Sequence, residues 1–107
     1  MSGLRWNKAF ALEQTADDTE LLQELINIFK DSCASDCALI RSGLSRLDGA
    51  QVASAAHSIK GAAASLGIEA IREIALAIEM DGKEGKIEAA AQRFPELEGL
   101  LFELKNL

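Results

Sequence analysis

The sequence predicts an all-α fold, an up-and-down antiparallel four-helix bundle with a short extra helix at the N-terminus. Three observations predict it. The apolar 49 % of the 107 residues is mainly Leu, Ile and Ala, with only four Phe, one Trp, no Tyr and a single Pro in the chain, a mix that favours helix over sheet. Apolar residues recur at spacings of three and four along nearly the whole chain, which is the period of a helix buried on one face. The breaks between such stretches are short, so successive helices must turn back on one another.

The first element is a short helix over Trp6 to Glu13, capped by Asn7 and placed to lid one end of the bundle. The stripe Leu22, Ile26, Phe29, Cys33, Cys37, Ile40, Leu44 and Leu47 follows. It describes one long amphipathic helix, or two joined by a bend near Ser32 to Asp36. Thr15 with Asp18 resembles a capping box at its start, and Asp17, Asp18 and Glu20 suit the positive end of a helix. Asp48 and Gly49 break the chain, and Asp48 can cap a helix from about Ala50 to Leu66 with Gln51 at its third position. Gly67 can take the left-handed conformation that ends it. Ile68, Ile71, Ala75 and Ile78 mark the next helix, ending around Asp81 and Gly82. The last carries Ile87, Ala90, Phe94, Leu97, Leu101 and Leu104, with Pro95 expected to kink or split it. Without repeats or linkers, residues 1–107 read as one domain, long enough to bury roughly two-thirds of its unfolded surface.

A formal charge of −6 repels phosphate backbones and anionic lipid, so neither nucleic acid nor a membrane is expected as a partner. No apolar run could span a bilayer, and Met1 to Phe10 lacks the hydrophobic block of a signal peptide, so a cytoplasmic location is expected. Cys33 and Cys37 stand one helical turn apart, where a disulfide would be strained. Zinc would want four ligands, and only one His accompanies these thiols, so no metal is expected and both should be packed, reduced thiols.

That one histidine lies on the helix from Ala50 to Leu66. Its inward stripe is Val52, Ala56, Ile59, Ala63 and Leu66. On a wheel of about 100° per residue, His57 falls about 140° from that stripe, with Gly61 near 180°, Ala64 near 120°, Ala53 near 100° and Lys60 near 80°. The imidazole should therefore point outward among Ala53, Ser54, Gly61 and Ala64, with Lys60 the one charge. Gly61 costs about 1 kcal/mol in a helix interior, so close approach of another molecule to the ring is the use expected of it. The plainer readings are a surface histidine, a second buried Ala-rich face, or a dimer seam. A hydrolase is disfavoured, because Ser54 and Ser58 sit in no strained turn and no carboxylate is expected to orient the imidazole. Neutral imidazole is nucleophilic near pH 7 without a separate base. Lys60, at i+3, can meet an anion on the ring. Phosphoryl transfer chiefly needs in-line access and charge neutralisation, which an open His, a cleared approach and one lysine can offer.

The segment Ala56-His57-Ser58-Ile59-Lys60-Gly61-Ala62-Ala63-Ala64-Ser65-Leu66-Gly67 resembles the H-x-x-K-G-x-x-x-x-x-G signature of histidine-containing phosphotransfer (HPt) domains of bacterial phosphorelays. The acidic, Leu-rich stretch Asp18 to Phe29 and the final helix are similar too. The resemblance implies that His57 accepts the phosphoryl group on Nε2, that Lys60 neutralises it, and that Gly61, with Ala53 and Ala64, forms the receiver docking face. It implies a phosphocarrier without ATP-dependent autokinase activity, and the chain holds no glycine-rich nucleotide-binding segment. The implied partners are response-regulator receiver domains, which bring the phosphorylatable Asp and Mg²⁺, and a hybrid sensor kinase. No cofactor is expected on this chain. A sensor-kinase dimerisation domain fits less well, since Ser58 rather than an acid follows the His and no Pro precedes Pro95. A chain that closes its own bundle is expected to be a monomer. The alternatives are the phosphoacceptor domain of a chemotaxis-type kinase and a non-phosphorylated helical interaction module.

Overall fold

Three short polar side chains start the first three helices. Asn7, Asp18 and Asp48 accept from the backbone N–H of Phe10, Leu21 and Gln51 at 3.1, 3.0 and 3.0 Å, each satisfying a donor that the first helical turn leaves free. They open α1 (Lys8–Gln14), α2 (Thr19–Ser45) and α3 (Gly49–Leu66), which α4 (Glu69–Lys83) and α5 (Ile87–Leu104) follow. The computed structural model describes residues 3–107, and it is all-helical; within that range the only β-type pairing is an isolated bridge between Trp6 and Ile68. Met1 and Ser2, the start of the segment read above for a leader, lie outside the described residues.

One local expectation is corrected, and two positions the sequence left open are decided. The Thr15 side chain does not cap α2: the residue is the C-cap of α1, buried, with its hydroxyl donating back to the carbonyls of Ala11 and Leu12. Asp18 alone caps α2. The long stripe forms one continuous 27-residue helix with no break at Ser32 to Asp36. At 1.5 Å per residue such a helix spans about 40 Å, which accounts for the 42 Å long axis of the molecule. Pro95 does not split α5, which runs on to Leu104. Pro95 and Ala91, the residue whose carbonyl loses its donor, are both exposed, so water can serve that carbonyl where a buried one would be stranded.

α3 is the central element. It packs against α2 on one side and α4 on the other, and α5 packs on α4 and α2. Val52, Ala56, Ile59 and Ala63 of α3 are wholly buried, facing Ile26 and Ile40 of α2, Ile71, Ala75 and Ile78 of α4, and Leu97 of α5 in one core. Each large side chain of this set contributes roughly 1.5–3 kcal/mol by leaving water. Cys33 and Cys37 are buried free thiols in the same core. Burial pushes both thiols up, that of Cys37 to about 11.

Two glycine positions fix how α3 is held. Gly67 closes the helix at φ 69°, and a methyl there would meet the Asn7 carbonyl at 2.9 Å. The Asn7 N–H bonds the Gly67 carbonyl at 2.8 Å and the Trp6 indole N–H bonds that of Leu66 at 2.8 Å, so the N-terminal segment lids this end of α3. At the other end Gly49 meets Gly82 of α4 backbone to backbone, and a methyl on either would fall within 2.7 Å of the other's carbonyl oxygen. That contact brings α4 close along the flank of α3. Among the described residues no helix is long and apolar enough to cross a membrane.

Candidate functional site: an exposed imidazole on a buried carboxylate

With one face of α3 committed to the core, its opposite face carries Ser54, His57, Ser58, Gly61, Ala64 and Ser65, all exposed. The His57 side chain is 66 % exposed. Gly61 has open space where a Cβ would stand, so no packing contact requires the glycine there. Ser65 is occupied locally, its hydroxyl donating to the Gly61 carbonyl at 3.1 Å.

Ala53 does not belong to this face. It is 6 % exposed, and a methyl on Gly82 would meet its backbone N at 2.9 Å and its Cα at 3.2 Å. The close glycine contact between α3 and α4 covers the flank on which Ala53 lies. The open surface around His57 is thus narrower on the α4 side than the helix wheel implies.

The expectation that no carboxylate orients the imidazole is also overturned. Glu79, on α4, lies at 3 % exposure with Oε2 2.9 Å from His57 Nδ1. An ionised carboxylate can only accept, so Nδ1 carries a proton, and in the neutral ring the lone pair is then on Nε2. With Nδ1 turned to the buried acid, Nε2 is the ring nitrogen left for an incoming group. A carboxylate this deep is tolerated only when paired, and two lysines pair it. Lys60 Nζ stands 2.7 Å from Oε1 and Lys83 Nζ 3.1 Å from Oε2. Oε1 receives no hydrogen bond of good direction, so the Lys60 contact acts there mainly through charge. Burial alone would raise the Glu79 carboxyl, but the contacts from Lys60, Lys83 and His57 outweigh it and hold the group down at about 2.

One carboxylate, two ammonium groups and one imidazole therefore form a single cluster across α3 and α4. Lys60, placed by sequence next to the ring, is instead drawn against Glu79 at 27 % exposure. Glu79 and Lys83 are the members that sequence reasoning missed. Helix-wheel analysis of α3 cannot show a partner from α4. A signal existed nonetheless: Glu79 stands four residues after Ala75 and eight after Ile71, an acid on a stripe that otherwise reads apolar. Among the described residues no group of three or more His, Cys, Asp or Glu is placed to hold a metal ion.

A nucleophilic nitrogen fixed outward on a rigid helix, backed by a carboxylate and flanked by cations, is equipped to receive an electrophile that carries negative charge. The family model described as Hpt domain matches residues 24–107, a span that takes in most of α2, all of α3 to α5 and every member of the cluster. The chain belongs to the Hpt domain family. Hpt domains are phosphocarrier modules that pass phosphoryl groups by way of histidine in phosphorelays and interact with response-regulator receiver domains. No curated protein and no solved structure gave a significant match. In this Hpt domain the family's helical character accounts for α2 to α5, and α1 adds the lid over the end of α3.

Proposed function

We propose that this chain accepts a phosphoryl group on Nε2 of His57 from the phosphorylated aspartate of one receiver domain and yields it to the aspartate of another. One observation carries the reading. The only imidazole of the chain is exposed, while its Nδ1 is fixed against a buried carboxylate, so a nucleophile is presented to a partner in one tautomer and one orientation.

The charge changes of the transfer suit the cluster. The Nε2 lone pair attacks phosphorus, the N–P bond forms as the P–O bond to the donor aspartate breaks, and the aspartate departs as carboxylate. The ring gains a positive charge while Nδ1 keeps its proton, so no base is needed. Glu79, 2.9 Å from Nδ1, faces that new charge and stabilises it. The reverse steps deliver the group to a second receiver. Lys60, held at Glu79 Oε1, offsets negative charge on the phosphoryl group through space, and Gly61 with Ala64 leaves room for the receiver beside the ring. Mg²⁺ belongs to the receiver in this scheme, and this chain acts without a cofactor of its own and without autokinase activity.

The same reading treats residues 1–107 as one Hpt domain, with α2 to α5 an up-and-down antiparallel four-helix bundle, acting as a cytoplasmic monomer that exchanges with receivers, one of them the receiver of a hybrid sensor kinase. The test is incubation with a panel of phosphorylated receivers and Mg²⁺. Wild type should take up acid-labile, alkali-stable phosphate, and His57→Gln should take up none at an unchanged helical circular dichroism spectrum. Equal labelling of the two proteins would overturn the reading.

A further inference from the structure

We propose that Lys83 is a second phosphoryl-binding residue, its ammonium moving from Glu79 onto the phosphoryl oxygens when His57 is phosphorylated. This rests on the reading of His57 as phosphoacceptor and assigns a partner to the group it would carry.

The geometry that points to it is a shared atom. Lys83 Nζ and His57 Nδ1 both contact Oε2 of Glu79, at 3.1 and 2.9 Å, so the ammonium stands beside the ring although the two residues come from different helices. Lys60 occupies the other oxygen, Oε1, at 2.7 Å. The lysines differ in freedom as well: the Lys83 side chain is 66 % exposed and that of Lys60 27 %. The exposed one can swing on its four-carbon stem, while the more covered one keeps the carboxylate in place.

Phosphorylation alters what Oε2 must balance. Before transfer a neutral imidazole donates to it and Lys83 supplies the positive charge. As the N–P bond forms and the P–O bond to the receiver aspartate breaks, the ring becomes cationic with its Nδ1 proton still on Oε2, and the phosphoryl group brings about two negative charges to Nε2. Two cations then compete for one oxygen, and an anion has arrived across the ring. Like charges repel and the more mobile partner moves. The phosphoryl group on the same ring offers Lys83 an anion in exchange for the one it gives up. Once the group is on the ring, Glu79 is neutralised by the imidazolium at Oε2 and by Lys60 at Oε1.

The experiment uses the full chain with a small phosphodonor, phosphoramidate, so that receiver docking plays no part. Wild type, Lys83→Met and Lys83→Arg are compared by the rate of phosphohistidine formation, by thermal melting, and by ¹⁵N NMR of the unphosphorylated imidazole. The expected result is a rate about ten- to a hundredfold lower in Lys83→Met, the scale of one charged hydrogen bond, substantially restored in Lys83→Arg, with Nδ1 protonated in all three. An unchanged rate in Lys83→Met would overturn the proposal. A slower rate accompanied by loss of the Nδ1–H tautomer would also overturn it, because Lys83 would then act only by steadying Glu79. Failure of wild type to form phosphohistidine with this donor and with phosphorylated receivers would instead remove the function on which the proposal rests.

Discussion

Gly61 lies one helical turn beyond His57, in the interior of α3, with nothing within 4 Å of the place its Cβ would occupy. A glycine there costs about 1 kcal/mol against alanine and returns no packing contact. Its use must lie outside the folded chain. Gly61→Gln is expected to hold or raise the melting temperature, gaining up to about 1 kcal/mol, while slowing transfer from a receiver, because a side chain at i+4 stands beside the imidazole. Transfer from a small phosphodonor should suffer less. A lower melting temperature with an unaffected receiver rate would show that this face is packed rather than open. That His57, Lys60 and Gly61 are neighbours is legible because they share one helix, where spacing fixes neighbourhood. Glu79 and Lys83 are not legible in this way, because their relation to His57 depends on the register between α3 and α4. The Gly49–Gly82 contact is part of what sets that register, and Ala53 was misplaced for the same reason.

Among the elements, the caps at Asn7 and Asp48, the stop at Gly67 and the buried stripes could all be read from residue type and period, since each is a local property of the chain. The unbroken α2 and the passage of α5 through Pro95 could not, because each depends on what lies around the doubtful residue. The turn between α2 and α3 shows a local strain that the sequence hides. Leu47 has φ 56° and is 75 % exposed, so a bulky residue adopts the left-handed conformation without the core burial expected from its place in the stripe. That conformation costs a side chain about 1–2 kcal/mol. Leu47→Gly should therefore raise the melting temperature by a few degrees, with phosphotransfer unchanged, as followed by circular dichroism. A lower melting temperature would mean that Leu47 makes a packing contribution its exposure conceals.

For the molecule as a whole, the cluster behind His57 ties folding to pH. The Glu79 carboxyl lies at about 2 in the folded chain against an ordinary 4.5. Its contribution to stability is therefore fully present above pH 4.5 and is lost as pH falls from there toward 2. Thermal melts between pH 6 and pH 2 should show a loss of stability in that window which is shallower in Glu79→Gln, whose amide does not titrate. Identical pH profiles for the two proteins would contradict the pairing of Glu79 with its cations. The same cluster joins fold to function, since the acid that α4 buries is what aims the imidazole of α3. The central claim is thus a claim about one atom, Nε2 of His57. The direct measurement is ¹⁵N and ³¹P NMR of the ¹⁵N-histidine-labelled protein after phosphorylation by a receiver. The expected result is a one-bond phosphorus–nitrogen coupling to Nε2, with Nδ1 still protonated. Phosphorus bound to Nδ1, or to no imidazole nitrogen at all, would contradict the account.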